Sequence, residues 1–206
     1  VANADKPSGF RPVGHLNGSQ WNGKANKYYI ASAAANIFIG DMMTLLANGS
    51  SVPYSCVEAA DAATDVPVGP VIGIELKPDS PRRTYLASGV SGYLYIADDP
   101  DLVMEVQCNG TLEDGDIGSK AVVYAGAGST TTGRSAYEVT VTTMAATQSF
   151  IYHVQRLVDR PENALGADAK VLVSFNVHEY GHGAYGEHGV GGNDTRGPAG
   201  HLGVHA

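Results

Sequence analysis

The chain has 206 residues, 26 of them glycine, with 43% apolar residues, only 17% charged residues and a formal charge of −8. So much glycine disfavours a helical bundle, because each glycine costs about 1 kcal/mol in a helix relative to alanine. The apolar content suffices for a core and excludes a chain disordered throughout. Charge is uneven: residues 1–30 carry +3, residues 31–132 carry −9 and residues 133–206 carry −2. An acidic body with a basic start lacks the footprint of a nucleic-acid-binding domain. Scarce charge beside ordinary apolar content fits either a surface spent on contacts with other chains or a low-charge monomer.

Residues 1–26 hold glycine and proline with little apolar periodicity. They are expected as an extended arm, which buries too little apolar area to order itself. The opening VANADKPSGF lacks the basic-then-apolar layout of a signal peptide. Cytoplasmic synthesis without secretion is therefore expected. Alternating and β-branched runs then predict short strands at 27–30, 36–46 (hinged at Gly40-Asp41), 52–57 and 71–76. Residues 93–97 and 102–107 flank Asp98-Asp99-Pro100-Asp101, a loop length that predicts a hairpin. Further strands are expected at 120–125, 136–141, 150–157 and 170–177. The Ala-rich stretch 58–64 is too short for a stable isolated helix. The fold class is all-β, a barrel or sandwich of about ten short strands. The body, residues 27–178, is one domain or two small β units. Residues 179–206, with nine glycines and four histidines, form a Gly/His-rich tail.

No run approaches 18 apolar residues, so no membrane-spanning helix is expected. Cys56 and Cys108 are too few for a disulfide framework or a zinc quartet, and free thiols are expected. His178-Glu179-Tyr180-Gly181-His182 spells H-E-x-x-H, with His188 at the spacing of a third zinc ligand. That chemistry needs two histidines on one helical face and the glutamate as general base. Here the string follows an alternating strand pattern and is cut by Gly181, Gly183 and Gly186. Tyr185 also stands where the longer motif has glycine. A solvated or clasping tail is the main reading, with a zinc hydrolase or adventitious metal binding as alternatives. Asp98, Asp99 and Asp101, and Glu113, Asp114 and Asp116, fit turns better than calcium loops. No phosphate-binding loop and no G-x-S-x-G elbow occurs. Tyr28, Tyr29, Tyr93 and Tyr95 fit cross-strand pairs, with a ligand platform as the second reading.

The string GFRPVGHLNG at residues 9–18 resembles the start of small structural proteins of tailed bacteriophages, encoded beside the major capsid protein in marine and environmental phages. The similarity continues at Tyr28-Tyr29-Ile30, Phe38-Ile39-Gly40-Asp41, residues 93–102 (YLYIADDPDL), Arg160-Pro161-Glu162-Asn163 and Gly166-Ala167. The resemblance implies a capsid decoration, or cement, protein: a non-enzymatic virion component on the capsid exterior, without cofactor, metal or small-molecule substrate. Its implied partners are the major capsid protein and itself, as a homo-oligomer, a trimer rather than a dimer. Neither nucleic acid nor membrane is an expected partner. Phe10, Arg11, His15, Asn17, Trp21 and Lys24 are the expected docking arm. Tyr180, His182, Tyr185, His188 and Arg196 are the expected inter-subunit tail. Removing residues 1–24 is then expected to leave the β body folded. A head fibre, or a host-adhesion and glycan-binding module, is the alternative.

Overall fold

Runs of β-branched and aromatic residues, cut by Gly, Pro, Asn and Asp, favour strands over helices. The computed structural model describes residues 3–46, 52–62, 65–75, 83–145 and 151–181. These form β1 (Arg11–His15), β2 (Asn26–Ile30), β3 (Met42–Leu45), β4 (Val57–Ala59), β5 (Pro67–Ile74), β6 (Gly92–Ile96), β7 (Leu102–Asn109), β8 (Thr111–Leu112), β9 (Lys120–Tyr124), β10 (Glu138–Ala145), β11 (Tyr152–Leu157), β12 (Gly166–Ala167) and β13 (Lys170–Phe175). One 3₁₀ turn, Asp114–Asp116, interrupts them, and no α-helix occurs among the described residues. The chain is all-β.

Two sheets share the work. In the larger, β7, β10, β9, β11 and β13 close into a barrel because β13 pairs back onto β7. β1 joins this sheet along the first half of β7, with Arg11 opposite Glu105 and His15 opposite Leu102. The smaller sheet runs β2-β6-β5-β3-β4. Its ends meet where Tyr29 bridges Cys56 and the Tyr29 N–H donates to the Ser55 carbonyl at 3.0 Å. β8 and β12 form a separate two-stranded ribbon.

Each sheet encloses its own core. Leu102, Met104, Val106, Tyr152, Val171 and Val173 fill the first. Tyr28, Ile30, Val57, Val68, Leu94 and Ile96 fill the second. The wall between them is β3, whose alternation sends Met42 into the first core and Met43 into the second, both fully buried. β5 does the same with Ile72 and Val71. Cys56 and Cys108 are buried free thiols, and burial pushes the Cys108 thiol up to about 12.

Three expectations are corrected. The hairpin does not form: β6 belongs to the smaller sheet and β7 to the larger. Ile96 faces the second core and Leu102 the first, so the link crosses between cores instead of turning back. The strand expected at 52–57 begins only at Val57, apart from a bridge at Cys56; Pro53 cannot donate to a ladder. The expected arm is laid onto the body. β1 is a sheet strand, and Phe10 is only 1% exposed in the first core.

Candidate functional site

The six residues of the expected docking arm divide by side-chain direction. Phe10 turns inward and stacks on Tyr152 with ring centroids 4.9 Å apart, so it is no anchor for a partner. Arg11, next along an alternating strand, turns outward and its side chain is 58% exposed. His15 Nδ1 lies 3.3 Å from an Asp99 carboxylate oxygen. Asn17 Oδ1 accepts the Ser19 N–H and shapes the turn after β1. Trp21 returns alongside β1, its N–H donating to the Val13 carbonyl, and packs half-buried against the first core. Lys24 is exposed.

Arg11 and Trp21 meet at a cleft of about 400 Å³ where the two sheets join. Pro12 lies on the β1 side, Ile39, Gly40 and Ile72 on the side of the smaller sheet, and Arg134 comes from the loop before β10. A crossing of two backbones builds one end. A Cβ on Gly9 would sit 2.4 Å from the Gly40 carbonyl oxygen, and one on Gly40 2.6 Å from that of Ser8. Both have positive φ, +70° and +99°, which glycine alone adopts without strain. The Phe10 N–H donates to the Gly40 carbonyl at 2.9 Å and locks the crossing. Sequence reasoning placed Ile39 and Ile72 in strand candidates but assigned no role to Arg134. The segment pairing of Ile39 with Arg134 spans too much chain for any local pattern to report it.

Behind β1 lies Glu105, 4% exposed on β7. Arg160 holds its carboxylate in a fork, with Nη1 at 2.9 Å and Nη2 at 2.7 Å. Arg11 Nη1 stands farther off at 3.9 Å. Arg160→Ala is expected to cost about 2 kcal/mol in urea unfolding, because it strips a buried carboxylate of its partner while Arg160 itself is partly solvated. Arg160→Lys is expected to recover less than half, since an ammonium cannot fork. Unchanged midpoints would remove the pair from the stability of β1 and β7.

The acidic groups act as turn and strand ties. Asp98 accepts from Asn26 Nδ2 at 2.8 Å and from the Tyr28 hydroxyl at 2.6 Å. Asp116 accepts the Glu113 N–H in the 3₁₀ turn. Among the described residues, no group of three or more His, Cys, Asp or Glu side chains is placed to hold a metal. Tyr29 and Tyr93 pair across β2 and β6 at 5.4 Å, and Tyr54 meets Tyr93 edge-on. Lys27 Nζ covers the Tyr93 ring at 4.1 Å, so that face is already occupied.

After β13 the chain lies on the smaller sheet. His178 Nε2 donates to the Val68 carbonyl at 2.9 Å, and Nδ1 accepts the Tyr180 N–H at 3.0 Å. Both ring nitrogens are thus engaged by backbone, and no lone pair of His178 faces a metal. Burial lowers the His178 pKa, against the Val68 carbonyl and the Asp98 and Asp99 charges. Tyr180, expected in the inter-subunit tail, is 43% exposed with its hydroxyl 3.3 Å from that of Tyr28. His182, Tyr185, His188 and Arg196 lie outside the described residues. No family model, curated protein or solved structure matches this chain.

Proposed function

We propose that this chain is a capsid decoration protein, a non-enzymatic virion component that binds the outer face of an assembled phage head and braces it. The observation that carries the proposal is the face around β1. Val13 and Leu16 are 38% and 52% exposed in and just after β1, and at the neighbouring cleft Ile39 is 44% exposed beside exposed Arg11 and Arg134, on a chain of net charge −8. Exposed apolar groups among cations suit a protein partner rather than solvent. The resemblance along residues 9–178 supports the same reading. The major capsid protein is the proposed partner, with self-association as a trimer. Docking on this face falls to Arg11, Asn17, Trp21 and Lys24, with Phe10 serving as the pin that holds β1 in place. A decoration protein works by mass action: binding only the assembled shell stabilises it by about 2.7 kcal/mol per site at 100 times the Kd.

The fibre or glycan-binding alternative predicts that free protein binds cells or glycans and that heads stay robust without it. The zinc-hydrolase alternative is disfavoured by the two backbone hydrogen bonds on His178. Heads lacking the protein are expected to rupture at lower temperature and on milder osmotic shock than wild-type heads, and added protein is expected to restore them. Equal survival of the two kinds of head would overturn the proposal.

A further inference from the structure

The cleft at the join of the two sheets carries charge that the protein itself uses only weakly. Arg134 is exposed and makes no ion pair among the described residues. Arg11 reaches Glu105 only at 3.9 Å, and that carboxylate is already forked by Arg160. Two guanidinium groups therefore border one cleft on a strongly acidic chain. Its lining mixes polar and apolar surface: beside the two arginines, Trp21 and Ile72 pack half-buried against the first core, and Ile39 stands 44% exposed.

We infer that this cleft takes an acidic peptide segment of a protein partner, with one apolar side chain set against Trp21 and Ile72 and carboxylates forked by Arg11 and Arg134. Guanidinium groups match carboxylates in planar, two-point geometry. Tryptophan and arginine are the residues that most often dominate binding energy at interfaces. At about 400 Å³ the cleft lies at the small end of ligand sites. It holds one side chain and its flanks, with the remainder of a segment lying along β1. A nucleic acid fits less well, because residues 31–132 carry −9 and would repel a long polyanion. The inference rests on the decoration proposal only for where such a segment comes from, the capsid shell. The chemistry of the cleft stands apart from it.

The test uses the full chain and fluorescein-labelled peptides read by fluorescence anisotropy. The probe is Asp-Glu-Phe-Glu-Asp, compared with Lys-Lys-Phe-Lys-Lys, Asp-Glu-Gly-Glu-Asp and a ten-nucleotide thymidine oligomer. The acidic Phe peptide is expected to bind, and to weaken severalfold between about 50 and about 300 mM salt. Arg11→Glu combined with Arg134→Glu is expected to lose about tenfold or more, and Trp21→Ala to erase the advantage of the Phe peptide over the Gly peptide. Thermal melting checks that the variants fold, and Arg134→Gln alone serves if the double variant does not. No binding of the acidic Phe peptide, undiminished binding by the charge-reversed variants, or equal binding of the basic peptide overturns the inference. Tighter binding of the oligonucleotide through the same arginines overturns it in favour of phosphate. Head binding is measured separately. Heads that bind no form of the protein overturn the decoration proposal and leave the peptide result standing.

Discussion

Phe10→Ala is expected to lower the free energy of unfolding by about 3–5 kcal/mol, the cost of emptying a buried aromatic site. The ring is 1% exposed and stacks on Tyr152, itself fully buried against Phe175. The Phe10 backbone also holds the Gly9–Gly40 crossing, so the cavity opens beside a point where the chain entering β1 is pinned to the segment leading into β3. Denaturant unfolding of the variant measures the loss. A loss under about 1 kcal/mol would mean that the first core does not depend on this ring. Removing residues 1–24 takes away Phe10, β1 and the packing of Trp21 together. It is therefore expected to destabilise the body, contrary to the expectation of a detachable arm. Loss of head binding in such a truncation would not separate docking from folding. The exposed substitutions at Arg11 and Arg134 make that separation, because they touch neither core.

Asp41→Asn is expected to stabilise the protein by roughly 3 kcal/mol at pH 8 relative to its effect at pH 4. Asp41 is 2% exposed at the junction of the two sheets, and its backbone exchanges hydrogen bonds with Phe38 and Val71. One carboxylate oxygen accepts the Phe38 N–H at 2.7 Å, and the other, Oδ1, has no hydrogen-bond partner. Burial raises its pKa from 3.8 to about 6, offset in part by the nearby Ser135 hydroxyl and the Phe38 N–H. The folded state therefore holds a proton that the unfolded chain has released between pH 4 and 6. Stability from this group is fully present below about pH 4 and is lost as pH rises through about 6. A rise from 3.8 to about 6 corresponds to about 3 kcal/mol. His178 works in the opposite direction. Its lowered pKa means that stability is lost as pH falls below the ordinary histidine value of 6.5. Subtracting variant from wild type at each pH isolates Asp41. A difference that does not change between pH 4 and 8 would show that Asp41 ionises freely in the fold.

Several strands were legible because their signal is local. β2, β6, β7, β9, β11 and β13 all lie on runs read from alternation and β-branched residues. The Gly40-Asp41 hinge was legible too: Gly40 has φ +99°, and β3 begins one residue after Asp41. β1 was missed because RPVGH offers proline and glycine where a strand is expected to offer donors and side chains. It forms anyway, because β7 presents a complementary edge and Phe10 finds a core. The loop Asp98 to Asp101 misled for a related reason. Four turn residues permit a hairpin, but two cores on opposite sides of the loop make a crossover the arrangement that buries both flanks.

The cleft shows the same limit. Arg11 and Trp21 were singled out by residue type and position, and both line it. Arg134 and Ile72 were not singled out as partners, and Glu105 and Arg160 showed no sign of being a pair. The sequence alone determined that this chain is all-β, because strand formation follows local alternation and the turn residues between runs. The tertiary structure decided which strands close each sheet, that Phe10 faces inward and Arg11 outward, and which residues meet at the cleft. Those outcomes turn on burial and pairing between residues such as Arg160 and Glu105, Ile39 and Arg134, and Phe10 and Tyr152, which lie 55, 95 and 142 positions apart, and no local pattern encodes such contacts before the cores exist to reward them.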